Sequence, residues 1–404
     1  MDLRKEKAAD SADYCIACTS CIASCPVTEA TTKFRGPKLI GPAQHRLHFA
    51  ENDEEKSLEY CSNCKNCDVA CPAGVAVSTL NMLQRAKYYR THAHSLRDHM
   101  LAHSDRMAKL GRKIPLGMLM ANIGMQIGQK TGLLEKIGIS GKRKMPAFAA
   151  KSFLEAFKEI KQKSYPDKVV FFPGCYINEN QPQVGIAFVE VMQQNKYEVL
   201  VDESFVCCGS PKVVTGFFDE AKEHARINTE RILSWQQKGY PVIACCTSCS
   251  LMLKQEYTEL FHEEDMEKAA VSIYDAFEFL QQLMDQGKLS REFSKMQRAY
   301  TYHAPCHLNA QGIGLPAINI MQEIPGIQVR ELAAGCCGIS GNYGFKAEKY
   351  DISMKVGEKL FAAVEKSKED TVLSDCGTCR MQIAHGTGRK TLHPVEVLAS
   401  AYKG

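Results

Sequence analysis

The chain has 404 residues, 45% hydrophobic and 24% charged, with 19 cysteines and a formal net charge of +4. These fractions exclude a disordered or low-complexity chain, and the length allows two or three domains that each bury a core. Met1 to Ser11 is charged and offers no apolar run for a signal peptide, so the cysteines are expected to meet a reducing cytoplasm, where thiolates serve metals or catalysis.

Residues 1–95 hold the first eight cysteines. Cys15, Cys18, Cys21 and Cys25, followed by Pro26, form the run C-x2-C-x2-C-x3-C-P; Cys61, Cys64, Cys67 and Cys71, followed by Pro72, repeat it. Three cysteines spaced by two residues wrap three corners of a [4Fe–4S] cubane, and in two-cluster ferredoxins the fourth ligates the other cluster. The expected sets are Cys15, Cys18, Cys21 and Cys71 on one cubane, and Cys25, Cys61, Cys64 and Cys67 on the other. Zinc sites use C-x2-C pairs instead. The proline after each remote cysteine should end the local helix and extend the residue before it.

Residues 96–165 contain no cysteine and read as a basic linker of helices broken by Gly and Pro. From Gln84 to Lys163 the chain carries 17 Lys/Arg against 5 Asp/Glu, so this island of +12 sits in an otherwise acidic protein. No nucleic-acid reader accompanies the charge, and no nucleic-acid partner is expected. Between Lys113 and Lys130 lie sixteen uncharged residues, too few for a confident membrane span. An apolar stretch amid Lys and Arg suits an anionic lipid surface, with Arg112, Lys113, Lys142, Arg143 and Lys144 as contacts. The alternative is a core helix ringed by solvated lysines.

From Lys168 the pattern turns to β-rich runs alternating with helices. KVVFF (168–172), EVLV (198–201) and PVIA (241–244) read as buried strands. Asp219 to Gln237 has helical spacing, with Asp219 as N-cap and Gly239 as the stop. The second half repeats the first: Cys306 follows Cys175 by 131 residues, Cys336 follows Cys207 by 129, and Cys379 follows Cys249 by 130. The duplication predicts two α/β domains, 166–290 and 291–404, facing each other across a pseudo-twofold axis.

Each copy offers five cysteines: Cys175, Cys207, Cys208, Cys246 and Cys249, then Cys306, Cys336, Cys337, Cys376 and Cys379. Five thiolates exceed what a cubane or zinc needs. Adjacent cysteines reach one site only through a turn, which Gly209 and Gly338 permit. Cys245 is surplus and reads as a strand residue without a ligand role. His303 and His307 flank Cys306, with His385 and His393 near the last pair; they tune clusters, deliver protons or merely pack. No dinucleotide fingerprint, phosphate loop or nucleophile elbow is visible, so no flavin site and no catalytic residue is assigned to this chain.

The segments YCIACTSCIASCP, GPKLIGP, YCSNCKNCDVACP, FFPGC, CCG, HAPCH, CCGISGNYGF and DCGTCR carry a resemblance over nearly the whole chain. It resembles the iron–sulfur subunits of quinone-linked flavin dehydrogenases, the Cys-Cys-Gly family that includes the C subunit of anaerobic glycerol-3-phosphate dehydrogenase. The resemblance implies an α/β fold overall, with an N-terminal helical two-cluster ferredoxin-like domain followed by two duplicated Cys-Cys-Gly domains. It implies one or two non-cubane [4Fe–4S] clusters on the five-cysteine sets beyond the two cubanes, the 306–379 set being the firmer. A flavoprotein partner would oxidise sn-glycerol 3-phosphate, and electrons would pass through this chain to a membrane quinone, with quinone reduction on this chain left open. The expected place is peripheral, on the cytoplasmic face of the inner membrane. A heterodisulfide-reductase-like catalytic subunit, or the iron–sulfur subunit of a lactate or glycolate oxidase, stand as alternatives.

Overall fold

The three apolar runs become strands, and with five further short strands they form two parallel sheets among the described residues. β1 (Lys168–Phe172), β2 (Glu198–Val201), β3 (Val242–Ala244) and β4 (Ile273–Asp275) lie in the order β2-β1-β3-β4. β5 (Arg298–Tyr302), β6 (Ile327–Glu331), β7 (Thr371–Leu373) and β8 (Lys390–Leu392) repeat that order as β6-β5-β7-β8. Lys168 pairs Glu198 in the first sheet and Arg298 pairs Ile327 in the second, so the duplication extends to strand register. Val169, Val170 and Phe171 are fully buried, as expected for parallel strands covered on both faces. The computed structural model describes residues 10–47 and 56–403; nearly all of the charged N-terminal stretch considered above as a signal peptide lies outside them.

The longer helices ahead of the sheets are α1 (Val77–Tyr89), then α2 (Leu96–Ala102), α3 (Ser104–Arg112) and α4 (Gly117–Lys130) of the basic segment. Four more join the two sheets. α5 (Pro182–Gln194) and α6 (Ala276–Asp285) belong to the first repeat, α7 (Pro316–Gln322) and α8 (Pro394–Lys403) to the second. α5 packs on α8, and α6 packs on α7. Since α7 is the counterpart of α5 and α8 of α6, the contacts are reciprocal, as an isologous twofold requires. Phe171, Phe188, Phe277, Tyr302, Ile320 and Leu398 share one core across the two repeats.

Smaller polar contacts follow the same symmetry. Gln311 Nε2 of the second repeat donates to Thr247 O at 3.3 Å and Ser250 Oγ at 3.0 Å in the first, and Gln181 of the first repeat accepts from Arg380 of the second, at the position equivalent to Ser250. One local expectation is corrected. The long helix of the first repeat spans Phe218–Gln236 with Phe217, not Asp219, at its N-cap. Phe217 is held there by stacking on His94, ring centroids 3.7 Å apart, and Asp219 falls in the first turn, where its charge still favours the helix N-terminus. Gly239, at φ 79°, stops the chain beyond that helix as expected.

Candidate metal centres

The two ferredoxin-type loops fold alike to a degree the spacing alone does not demand. Ala17 and Thr19 in the first, and Asn63 and Lys65 in the second, all adopt left-handed backbone, at φ 59°, 67°, 52° and 65°. Non-glycine residues there cost on the order of 1–3 kcal/mol each and persist only where the surroundings impose them. Both loops thereby coil tightly, and the first brings Cys15, Cys18 and Cys21 around one recess with Cys18 still exposed. Cys25 is extended, at φ −81° and ψ 112°, and Pro26 opens the next short helix.

The loops exchange their fourth cysteines. Cys15, Cys18, Cys21 and Cys71 line one small apolar recess. Burial, and then the charge of Cys15 and Cys71, push the Cys21 thiol up to about 11. Burial pushes Cys64 and Cys67 well above the ordinary thiol value, and charge on Cys25 and Cys61 adds to both. Crowded thiolates in a low-dielectric site repel one another unless cations sit among them, so the donor set suits iron. Backbone and side-chain N–H groups aim at the sulfurs as well. Val75 N lies 3.3 Å from Cys71 Sγ, and Asn81 Nδ2 lies 3.5 Å from Cys61 Sγ. Such donors tune a cluster's potential.

The five-cysteine sets stand at the carboxyl ends of the strands, where strand order reverses: between β1 and β3, and between β5 and β7. This is the crevice in which open parallel sheets bind ligands. Cys175 follows β1, Cys207 and Cys208 follow β2, and Cys246 caps the helix Thr247–Leu251 that carries Cys249. Cys306 opens a helix after β5, Cys336 and Cys337 follow β6, and Cys376 caps the helix Gly377–Thr387 that carries Cys379. The sulfurs converge: Cys175 and Cys207 are 3.7 Å apart, and Cys337 and Cys379 are 3.1 Å apart. Gly209 and Gly338 make the predicted turns at φ 86° and 88°; a Cβ on Gly338 would sit 2.1 Å from Ser353 O. Cys245 points away from this site into the core shared by the two repeats, and its carbonyl accepts from His393 Nε2 at 3.0 Å.

Residues 11–75 match the family model described as a 4Fe-4S dicluster domain, and residues 169–254 and 300–384 each match the cysteine-rich domain model CCG. The C subunit of anaerobic glycerol-3-phosphate dehydrogenase from Escherichia coli is 34% identical over 396 residues, 97% of this chain and 98% of that protein. The chain belongs to the family of that C subunit. The B subunit of fumarate reductase (CoM/CoB) from Methanothermobacter marburgensis is 28% identical over 390 residues, 95% of this chain and 70% of the relative. Lactate utilization protein A of Bacillus licheniformis is 28% identical over 237 residues, 57% of this chain and 96% of the relative. The dicluster match and the gathered thiols make this member of the C-subunit family an iron–sulfur-binding chain.

The second ferredoxin loop is wedged between both repeats by residues that the cysteine pattern did not reveal. Arg85 donates to Leu58 O at 2.6 Å, Cys61 O at 2.8 Å and Val214 O at 2.7 Å. Buried Lys65 reaches Glu259 at 2.9 Å and Glu256 at 3.4 Å in the first repeat. On the other side Ser340 Oγ donates to Ser62 O, and His307 Nε2 lies 2.9 Å from Asn63 O. After burial, the charge of Cys306 is the next largest influence on Cys64, so this loop lies against the second five-cysteine set.

The histidines divide. His307 bridges Asn63 O and Ser248 Oγ. His303 Nε2 is buried without a partner among the described residues, and its ring lies with Cys337 and Cys379; burial pulls it down to about 4. His393 is a helix cap, its Nδ1 accepting from Val395 N at 3.1 Å, and His385 meets the Tyr350 hydroxyl at 2.9 Å.

The basic segment needs correction. Arg143 is fully buried: Nε donates to Gly344 O at 3.0 Å, the guanidinium also reaches Ser353 and Gln382, and it lies 4.7 Å from the Tyr350 ring centroid. Arg112 is tied to Glu179 at 2.7 Å and Glu155 at 3.1 Å. Neither is free for lipid. Lys113, Lys142 and Lys144 are exposed. No helix among the described residues is long and apolar enough to cross a membrane. Leu110, Ile114, Leu116, Leu119, Met120, Ile123, Ile127 and Leu133 form an exposed apolar face on and around α3 and α4, rimmed by exposed Lys109, Lys113, Lys130 and Lys136. Few side chains turn inward, chiefly Asp105, Ala108, Met118 and Leu134, so the segment is neither a span nor a core helix.

Proposed function

We propose that this chain is the iron–sulfur electron-transfer subunit of a membrane-associated anaerobic glycerol-3-phosphate dehydrogenase, passing electrons from a flavoprotein partner to quinone. Cys15, Cys18, Cys21 and Cys71 would hold one cubane and Cys25, Cys61, Cys64 and Cys67 the other. Cys175, Cys207, Cys208, Cys246 and Cys249, and Cys306, Cys336, Cys337, Cys376 and Cys379, would hold two further, non-cubane clusters. When bound, those clusters supply one-electron chemistry.

The observation that carries this reading is the gradation of exposure along the cysteine sets. Cys18 is exposed, with Cys15 and Cys71 half-buried, which gives an incoming redox partner a face to approach. Cys61 and Cys67 are buried and their loop abuts Cys306 and Ser340, so the polypeptide leads from a surface set to the interior sets. The apolar face of α3 and α4 with its lysine rim suits peripheral seating on an anionic leaflet, the cytoplasmic side of the inner membrane.

Iron analysis and spectroscopy of anaerobically purified protein test the reading. Four loaded sites give ~16 iron atoms per chain, and two cubanes alone give about half that. A colourless, iron-free product after reconstitution overturns it. Co-purification of a flavin-containing dehydrogenase from the native source supports the partner, and a flavin-free eluate counts against it.

A further inference from the structure

A cavity of about 270 Å³ lies between the two repeats beneath the basic segment. One end is lined by Cys175, Cys208, Cys246 and Cys249, where the first five-cysteine set converges. The other end is lined by Met100, Met107, Met125, Met145, Leu134 and Phe148, none of which is a cluster thiolate. A metal–sulfur group on the cysteines does not account for that second half. Its size approaches the roughly 300–1,000 Å³ of small-molecule sites, which are likewise apolar with few polar groups. Here the polar groups include Asp105, Asn180, His307 and Asn342.

The roof of this cavity is the segment with the exposed apolar face. α3 and α4 give Met107 and Met125 to the cavity, while Leu110, Leu119, Ile123 and Ile127 face outward. Met107 does both: it lines the cavity and is 45% exposed. Four methionines around one opening supply unbranched, adaptable walls that repack around a flat ring.

We propose that this cavity is the binding site for the ring of an apolar acceptor of the quinone class, entered from the lipid side past Met107. The site rests on the electron-transfer reading above and adds where the acceptor sits. Asn180 and Asn342, which line the same cavity, carry the side-chain amide N–H groups that can donate to its carbonyl oxygens.

The test uses full-length, iron-loaded protein on anionic vesicles with a photoreactive short-chain naphthoquinone, followed by peptide mapping. The expected labels fall on Met100–Met107, Met125 and Met145–Phe148, and excess unlabelled naphthoquinone removes them. Met107→Trp and Met125→Trp, which fill the cavity, should cut labelling at least about tenfold while vesicle binding and iron content hold. Labels confined to Leu116, Leu119 and Ile123, without competition, overturn the proposal. Unchanged labelling in both tryptophan variants does the same. Iron content is read on every sample: loaded protein that labels elsewhere sinks the site alone, whereas iron-free protein sinks the electron-transfer reading.

Discussion

His307 Nε2 lies 2.9 Å from the Asn63 carbonyl, and that contact joins the second ferredoxin loop to the second five-cysteine set. A carbonyl can only accept, so Nε2 carries the proton and Nδ1 faces the Ser248 hydroxyl at 2.9 Å. Asn63 is itself left-handed, so the bond fixes a strained turn one residue from Cys64. His307→Ala should cost about 1–3 kcal/mol through the orphaned carbonyl. It should also slow reoxidation of the reduced protein by a soluble quinone, with iron retained. His307→Gln, which keeps a donor, should recover part of both. An unchanged melting temperature together with an unchanged reoxidation rate would remove the proposed joint.

Cysteines 336 and 245 offer a paired contrast. Gly338 N donates to Cys336 Sγ at 3.3 Å, inside the turn that gathers the second set. Cys336→Ser should lower iron content by ~4 atoms per chain and remove one spectroscopic signal. Cys245→Ser should leave iron unchanged and cost about 1–3 kcal/mol, because a hydroxyl replaces a thiol in an apolar core. Equal iron loss in both variants would mean that the ligand assignment is wrong.

Membrane attachment should depend on the exposed lysines and apolar side chains rather than on the buried arginines. Replacing Lys109, Lys113, Lys130 and Lys136 by Gln should weaken binding to anionic vesicles, with each lysine worth about 1 kcal/mol near the surface. The residual binding should lose its salt dependence. Leu116→Asp and Met120→Asp should weaken it on neutral vesicles too. Arg143→Met should instead destabilise the fold, since Gly344 O, Ser353 and Gln382 lose their partner. Vesicle sedimentation and thermal melts on the same samples separate the outcomes. Wild-type binding by the lysine variant would end the electrostatic account.

β1, β2 and β3 were legible as apolar β-branched runs, and the duplication through cysteines at offsets of 129 to 131 residues, whereas β5, β6 and β8 carry too many polar side chains to stand out. The reciprocal packing of α5 on α8 and α6 on α7 extends that duplication into space. Arg143 was not legible. In the run Lys142–Arg143–Lys144 all three read as surface charge, yet Arg143 meets Gly344, 201 residues on in the chain. Lys65 and Arg85 escaped for the same reason, since Glu259 and Val214 lie far off in sequence. Nor do the cysteine spacings announce left-handed backbone at Ala17, Thr19, Asn63 and Lys65, because none is glycine. What the spacing shows is the donor set; what wedges the second loop between the repeats is long-range charge and carbonyl chemistry.

Lys349 gives the fold a pH dependence of defined sign. Burial, and then the charge of Lys346, pull its ammonium down to about 7, and Glu59, 3.6 Å away, offsets only part. The unfolded chain keeps that lysine protonated up to about 10.4. Between those values the unfolded state binds more protons, so stability should rise with pH, by at most about 1.4 kcal/mol per unit. Below about 7 both states carry the proton and the full cost of burying it is present. Lys349→Met should therefore stabilise the protein at pH 7 and flatten the rise toward pH 10. Its lost bond to Glu59 O sets a limit on the gain. Chemical denaturation under anaerobic conditions at pH 7, 8.5 and 10 checks this, with iron content followed throughout. Parallel wild-type and variant curves would show that Lys349 stays protonated in the folded chain.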